Sequence, residues 1–378
     1  MAGTVNKIIL AAWFIAGLIC WASSASAARY APPPQENGIN RGVVELETGR
    51  AAGISVRISE DLANVIDDGA TRRVLPVVGK GALENISDLS LLHGIDLAIL
   101  QDDVLNYARQ QNLLPGLENR LSYIAKLYNE EFHLLARRDI KTVADLANQK
   151  VNVDLRGAGT EITAGRLFGL LNVAIVVTND DQEVALEKLK SGEIAALAFV
   201  AGKPAPIFSA LSSANGLHFL TIPLNPAVTA AYVPARLTTE DYPALIEANQ
   251  PVDTVAVGAV LAAANLQPGS ERYKNVVNFV DAFFTGFQSL LTPGHHPKWR
   301  EVNIAAELPG WQRFPPAADW LQRNNTQVAA APNETDLKSI FARFIDERQR
   351  VSGGTPLSQQ QKDDLFGQFQ RWEKTQSQ

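Results

Sequence analysis

A glycine-rich turn after a short strand carries the residues of this chain that are best suited to binding chemistry. The extended run 151–153 predicts the strand, Gly157 and Gly159 follow it, and Thr160 is placed to cap a helix. Glycine permits positive φ and a close approach of a ligand, and the first N–H groups of a helix lack partners. Arg156, directly before the turn, could meet a carboxylate through two hydrogen bonds. The stretch therefore predicts a site for a carboxylate or a phosphate.

The same turn also begins like a dinucleotide-binding fingerprint. Asp180 and Asp181 follow it by about twenty residues, where a ribose ligand would lie. Ile162, however, occupies the position at which that fingerprint needs glycine or alanine for close packing of helix and strand. We therefore predict no cofactor. A structural turn without a ligand, followed by a solvated Arg156, stays open as an alternative.

Polar side chains follow two other predicted strands. Gln101 can pair with a carboxylate or an amine, because its amide both donates and accepts hydrogen bonds. Asp102 either receives an ammonium group of the ligand or caps a helix that begins near Val104. Lys203 either offers a positive charge to the ligand or is solvated in the turn before Pro204.

Two further segments supply candidate contacts. Arg50, Gly53 and Ser55 lie in the loop after the first predicted strand, where they either contact a ligand or are ordinary loop residues. Tyr232 either closes over the ligand as an aromatic lid or packs in the core. With the residues above, the predicted ligand-binding set is Arg50, Gly53, Ser55, Gln101, Asp102, Arg156, Gly157, Gly159, Thr160, Lys203 and Tyr232.

The sequence predicts neither catalysis nor a metal site. His295 and His296 are adjacent, so they cannot both face one ion on regular structure, and no third ligand lies nearby in sequence. No Gly-x-Ser-x-Gly or His-Glu-x-x-His motif occurs. The net charge of −6 gives no electrostatic footprint for nucleic acid. We therefore predict a binding protein that is not an enzyme and does not bind nucleic acid.

The first 27 residues read as a secretory signal. Lys7 precedes an apolar run, 8–19, and small residues end at Ala27, after which cleavage is expected. The run is shorter than the ~20 residues of a spanning helix, although an uncleaved anchor stays open. Cys20, the single cysteine, lies inside this signal. The expected location is therefore periplasmic, and the mature chain would contain no disulfide.

Short strand patterns alternate with helical ones through most of the chain, which predicts an α/β fold with a mostly parallel sheet flanked by helices. Two stretches, Ser122–Arg137 and Val252–Ala263, are longer than the other strands and could pass between two lobes. The ligand cleft would then lie between the lobes. The shorter predicted strands are 43–46, 73–78, 95–100, 151–153, 174–177 and 195–200.

From about residue 42 to residue 325 the chain resembles the TAXI class of extracytoplasmic solute receptors of tripartite (TRAP) transporters. This class is a branch of the type II periplasmic binding proteins. The matching motifs, in chain order, are Gly49–Gly53, Asp96–Asp102, Ala125–Leu146, Lys150–Val153 with Gly157–Thr160, Phe199–Pro206 and Asp253–Gly258.

The resemblance implies a two-lobed receptor that closes around a small solute, often a dicarboxylate or an amino acid, and delivers it to a TRAP-type permease. Residues 28–131 and 236–327 would form lobe I, and residues 132–235 lobe II. The family typically has Thr-Tyr-Tyr-Pro in its first loop, where this chain has Arg50 to Val56. Loss of two aromatic rings and gain of a guanidinium favour a more acidic ligand.

Residues 328–378 are predicted to form a helical C-terminal extension. Apolar residues keep helical spacing in two segments, so each helix would have an apolar side to bury. The extension would fold back onto the lobes, or would dock on a membrane partner or on another copy. The second possibility motivates an alternative function, in which the same fold senses a ligand and signals to a membrane partner.

Overall fold

The computed structural model describes residues 42–51, 53–211, 216–324, 358 and 360–362. The predicted signal peptide and nearly all of the predicted C-terminal extension lie outside these residues. Within the described ranges, no helix is long and apolar enough to cross a membrane.

The described strands form one sheet with the order β2-β1-β3-β10-β4-β7-β5-β6, to which β8 adds beside β4 and β9 beside β10. The shorter strands pair in parallel with one another, whereas the long strands β4 and β10 pair antiparallel with their neighbours. The bounds are β1 Val43–Thr48, β2 Arg73–Val78, β3 Leu97–Gln101, β4 Leu121–Arg137, β5 Lys150–Asn152, β6 Val176–Thr178, β7 Ala196–Ala201, β8 Leu217–Phe219, β9 Val233–Leu237 and β10 Val252–Ala264.

Helices cover both faces of the sheet. Their bounds are α1 Ser55–Ile66, α2 Ala82–Leu91, α3 Asp102–Gln110, α4 Gly159–Leu170, α5 Gln182–Ser191, α6 Pro206–Ser209, α7 Pro226–Ala231, α8 Glu271–Leu290 and α9 Pro315–Arg323. Short 3₁₀ segments lie at Leu117–Asn119, Val143–Leu146 and Pro297–Glu301. Gly192, predicted to end a helix, does end α5 in the left-handed conformation that glycine adopts without strain.

The two long strands connect the halves of the sheet. We call lobe I the part built on β1, β2 and β3, and lobe II the part built on β5, β6 and β7. Residues 121–131 of β4 pair with β10, and residues 131–136 pair with β7. The prediction of two long strands shared by both lobes is confirmed, as is the two-lobed α/β fold. The boundaries at residues 132 and 236 stay a prediction.

Each lobe packs apolar side chains on both faces of its part of the sheet. Successive residues of β3 alternate between two buried clusters, with Leu97 and Ile99 on one face and Ala98 and Leu100 on the other. The same alternation holds along β7. Strands buried on both faces read as continuous apolar runs, because neither face meets water.

Candidate functional site

A cavity lies between the lobes at the carboxyl ends of β1 and β3. It contains about 610 Å³ of empty space, including the part open to solvent. Its lining comes from both lobes and consists of Gly49, Arg50, Gly53, Ser55, Gly81, Ala82, Asn85, Ile99, Leu100, Gln101, Glu130, Asp154, Ala158, Gly159, Thr160, Phe199 and Val200.

Three helices begin at this cavity. Helices α1 and α2 start from lobe I at Ser55 and Ala82, and α4 starts from lobe II at Gly159. None of the three has a side-chain cap, although the Leu83 N–H in the first turn of α2 is bonded to the Gly157 carbonyl. Each helix start carries about half a positive charge, so the three together favour an anion.

The first loop adds a guanidinium that reaches across the cavity. Arg50 of lobe I forms an ion pair with Asp181, which caps α5 in lobe II by accepting a hydrogen bond from the Glu183 N–H. Asp180, the other aspartate at the position expected for a ribose ligand, binds Lys188 at 2.9 Å. Both carboxylates therefore already have partners within the protein.

Gln101 and Gly159 meet across the cavity. Gln101 ends β3, and its Nε2 donates a hydrogen bond of 2.6 Å to Oε2 of Glu130 on β4. A Cβ atom added at Gly159 would lie 1.5 Å from Oε1 of Gln101, so any larger residue there would have to displace the Gln101 amide. Burial, together with the nearby Glu131 and Asp103, raises the pKa of Glu130 from an ordinary 4.5 to about 7.

The prediction that Thr160 caps a helix is wrong. Helix α4 begins two residues earlier than a Thr160 cap would place it, at Gly159, and Ala158 holds the cap position. Thr160 is therefore turned inward, where its Oγ1 accepts a hydrogen bond of 3.1 Å from the Val200 N–H of β7. It lines the cavity while joining a helix to the neighbouring strand.

Asp102 does not cap a helix near Val104 either. Helix α3 begins at Asp102, and Gln101 holds the cap position without a side-chain hydrogen bond. The Asp102 carboxylate lies against Gly258 of β10, and Asp102 lines a second cavity together with Arg166 and Tyr232. Burial raises its pKa.

Lys203 and Tyr232 lie away from the main cavity. The Lys203 ammonium binds Asp241 at 2.9 Å and the Arg236 carbonyl at 2.7 Å. Tyr232 is buried at the edge of the second cavity, with the Arg166 guanidinium 5.5 Å above its ring. Tyr232 therefore packs in the core and does not form a lid over the main cavity.

Arg156 and Gly157 form the outer part of the turn. Arg156 is exposed and does not line the cavity. Gly157 has the positive φ that the turn was expected to need, and its carbonyl accepts a hydrogen bond from the Leu83 N–H of lobe I. The turn thus faces a helix of the other lobe, so the guanidinium at the cavity is that of Arg50.

Sequence reasoning missed several lining residues, of which Glu130, Asp154 and Asn85 bring polar side chains. Glu130 and Glu131 were visible as adjacent charges inside a long apolar strand, which is a signal for a special role. Asp154 follows directly after the predicted strand 151–153, where ligand contacts are expected. Asn85 lies within a helix and gave no signal of its own.

A model of the NMT1-like family matches residues 47–279. This match includes every residue that lines the main cavity. Three solved structures resemble the chain over about three quarters of its length. They are a periplasmic binding protein, BugD; the aliphatic sulphonate binding protein SsuA from Escherichia coli; and a TctC solute binding protein from Polaromonas.

The identities to these structures are low. BugD shares 14% identity over 76% of this chain and 95% of its own, with a TM-score of 0.47. SsuA shares 18% over 74% and 82%, with a TM-score of 0.42, and the TctC protein 14% over 75% and 88%, with a TM-score of 0.38. Likenesses of this size carry no information on the ligand of this chain.

Proposed function

The chain belongs to the NMT1-like family, and on that premise we propose that it is an extracytoplasmic solute-binding receptor. It captures a small anionic organic solute, of the dicarboxylate or acidic amino acid class, between its lobes and performs no catalysis. It delivers the solute to a TRAP-type membrane permease, as expected of a TAXI receptor, and it works in the periplasm. The finer parts of this proposal rest on the sequence resemblance.

The observation that carries the proposal is the meeting of three uncapped helix starts and Arg50 around one cavity. Helix starts and a guanidinium both favour a carboxylate, and together they offer it more donors than any one element can. Apolar walls from Ile99, Leu100 and Phe199 suit an organic rather than an inorganic anion.

Contacts between the lobes explain how binding would couple to closure. Thr163 of α4 donates a hydrogen bond of 2.7 Å to Asp103 of α3, and the Leu83 N–H binds the Gly157 carbonyl at 3.1 Å. The Arg50–Asp181 pair joins the same two lobes. A solute that bridges these elements would favour the closed arrangement over an open one.

The first test is thermal unfolding of purified protein that has been unfolded and refolded to remove any bound solute. The panel contains dicarboxylates, keto acids, amino acids and sugars. A solute that binds only the native state adds about 2.7 kcal/mol to the free energy of unfolding at a hundredfold excess over Kd. We expect one class of carboxylates to raise Tm and the sugars to leave it unchanged.

The Arg50→Ala variant tests whether Arg50 contacts the solute or is only a surface arginine. Loss of a charge-assisted hydrogen bond lowers affinity by roughly 10- to 100-fold. The control is Arg137→Ala, because Arg137 also forms an ion pair, with Asp139, and its side chain has the same exposed fraction, 29%. Equal weakening by both variants, or no carboxylate that raises Tm, would contradict the proposal.

Delivery is tested with the TRAP-type permease of the same organism, reconstituted in vesicles. Labelled solute should accumulate inside only when the receptor is present. Tight binding without any accumulation would favour the alternative, in which the same fold senses the solute and signals to a membrane partner.

A further inference from the structure

The main cavity contains acceptor groups that an anion alone does not explain. Its lining includes Glu130, which is 9% exposed, and Asp154, which is 3% exposed. Asn85 also lines the cavity, with its Nδ2 bonded to the Thr48 carbonyl and its Oδ1 without any partner. A ligand with only carboxylates would bring further negative charge beside two carboxyl groups and an unpaired acceptor.

Glu130 is held in place by its position on β4 and by a hydrogen bond from Gln101. It lies on β4 opposite Val257 of β10, next to the point where β4 exchanges β10 for β7 as its partner. Gln101 donates to one of its oxygens at 2.6 Å, and Gln101 is itself held against Gly159. The carboxyl group is thus held by Gln101, which in turn lies against Gly159 of lobe II.

No cation of the described residues pairs with Glu130. The nearby ammonium of Lys298 is taken by Glu131 at 2.6 Å and by Glu301 at 2.9 Å. Arg50, the guanidinium of the cavity, is paired with Asp181. Within the described part of the chain, Glu130 is therefore a buried carboxyl group that receives an amide hydrogen bond but no counter-charge.

We propose that Glu130 determines the specificity of this cavity by accepting a hydrogen bond from a protonated amine of the solute. The solute would then be an aminocarboxylate, with its carboxylate at the helix starts and its ammonium group at Glu130 and Asp154. Gln101 acts as a positioning residue for Glu130. This inference rests on the proposed receptor function and narrows its solute class.

The physical reason is charge balance. A zwitterion adds no net charge to the cavity. Its ammonium group offers hydrogen-bond donors to Glu130 and Asp154, and its carboxylate offers acceptors to the helix starts. A dicarboxylate would bind only if Glu130 were protonated and donated a hydrogen bond to it. Binding of an aminocarboxylate and binding of a dicarboxylate would change the protonation of Glu130 in opposite directions, so the two can be distinguished.

The groups around Glu130 determine whether solute binding releases protons or takes them up. Its pKa of about 7 reflects burial and the negative Glu131 and Asp103, against which Gln101 and Lys298 act. An ammonium group at hydrogen-bond distance would lower this pKa, and a second carboxylate would raise it. Binding of an aminocarboxylate at pH 7 should therefore release about half a proton, whereas a dicarboxylate would take up protons.

The test compares matched pairs of probes that differ only in the amino group, such as glutamate with glutarate and leucine with 4-methylpentanoate. Affinity and proton exchange are measured calorimetrically on the full chain at pH 7, in two buffers of different ionisation enthalpy. We expect the amino member of at least one pair to bind at least about tenfold more tightly, with proton release.

Glu130→Gln should lower the affinity for the amino member by about 30-fold or more, leave the deaminated member unchanged, and abolish proton release. The control is Glu47→Gln, because Glu47 is also a buried carboxyl whose pKa is raised to about 7 but does not line the cavity. Gln101→Ala provides a second variant, which keeps the carboxyl group but should weaken the preference for the amine.

Three results would decide between the proposals. If no probe binds to refolded wild-type protein, the receptor function itself fails. If carboxylates bind without preference for an amine, or with proton uptake, only the role of Glu130 is overturned. If Glu47→Gln weakens the preference as much as Glu130→Gln, the effect is one of general stability and the inference is also overturned.

Discussion

At the scale of single residues, Gly159 controls the space between the lobes. A methyl group there would displace the Gln101 amide, whose Oε1 lies 1.5 Å from the position of the added Cβ. We expect Gly159→Ala to break the Gln101–Glu130 hydrogen bond, lower the free energy of unfolding by about 1–3 kcal/mol and weaken solute binding. Chemical denaturation and calorimetry measure the two effects.

Gly165 is the matched control on the same helix. A Cβ added at Gly165 meets no atom within 4 Å. Gly165→Ala should therefore stabilise the protein by about 0.4–1 kcal/mol and leave binding unchanged, because alanine restricts the unfolded chain. A loss of stability in both variants would mean that the helix backbone, not Gln101, responds to the change.

Several cavity residues could be predicted from the sequence because they follow strands or glycine turns. Gln101 ends a buried strand and Gly159 lies in a turn, and such positions meet at one edge of a parallel sheet. Glu130 could not be placed in this way. Its position depends on where the partner of β4 changes from β10 to β7. A local sequence pattern does not predict pairing between residues so far apart in the chain.

At the scale of elements, the 3₁₀ segment Pro297–Glu301 fixes the centre of β4. Lys298 of this segment is 2% exposed and binds Glu131 of β4 at 2.6 Å. Lys298→Met would leave a buried carboxylate without its partner, which costs about 3–5 kcal/mol in the free energy of unfolding. Urea denaturation measures this loss.

A second substitution tests whether Lys298 stabilises the protein through its charge or through the packing of its side chain. Adding Glu131→Gln to Lys298→Met should recover much of the lost stability, because no buried charge remains. Lys80→Met is the control, since the Lys80–Glu84 pair is exposed and its loss should leave stability unchanged. A double variant as unstable as the single one would show that the Lys298 side chain acts through its packing.

The long strands show what element patterns can and cannot predict. Ser122–Arg137 and Val252–Ala263 were recognisable as long extended runs, and they form β4 and β10. The starts of α3 and α4 were misplaced by one or two residues, because no capping side chain marks them. The uncapped start of α4 is also one of the three helix starts that favour an anion at the cavity.

At the scale of the whole molecule, buried carboxyl groups should make stability depend on pH. Burial raises the pKa values of Glu47, Asp103 and Glu130 to about 7. Between about pH 4 and pH 7 the unfolded chain loses these protons while the folded chain keeps them, so stability falls as pH rises through this window. Burial lowers the pKa of His133 to about 4 and also lowers the pKa values of His218 and His296, and these three groups act in the opposite direction.

Denaturation midpoints at pH 5 and pH 8 test this expectation. The ligand-free protein should be less stable at pH 8, and Glu130→Gln should gain more stability over wild type at pH 8 than at pH 5. A stability difference between Glu130→Gln and wild type that is the same at both pH values would contradict the raised pKa of Glu130.

The sheet order has a consequence for the order of assembly. Strand β10 lies between β3 and β4 in lobe I, although it follows both by more than a hundred residues in the chain. During synthesis, β5, β6, β7 and β8 all emerge after β4; β7 and β8 pair with β4 directly, and β5 and β6 join through β7. The strands of lobe II can therefore pair early. Lobe I cannot close until residue 264 has emerged, and until then β3 and β4 present open strand edges that invite pairing with other chains.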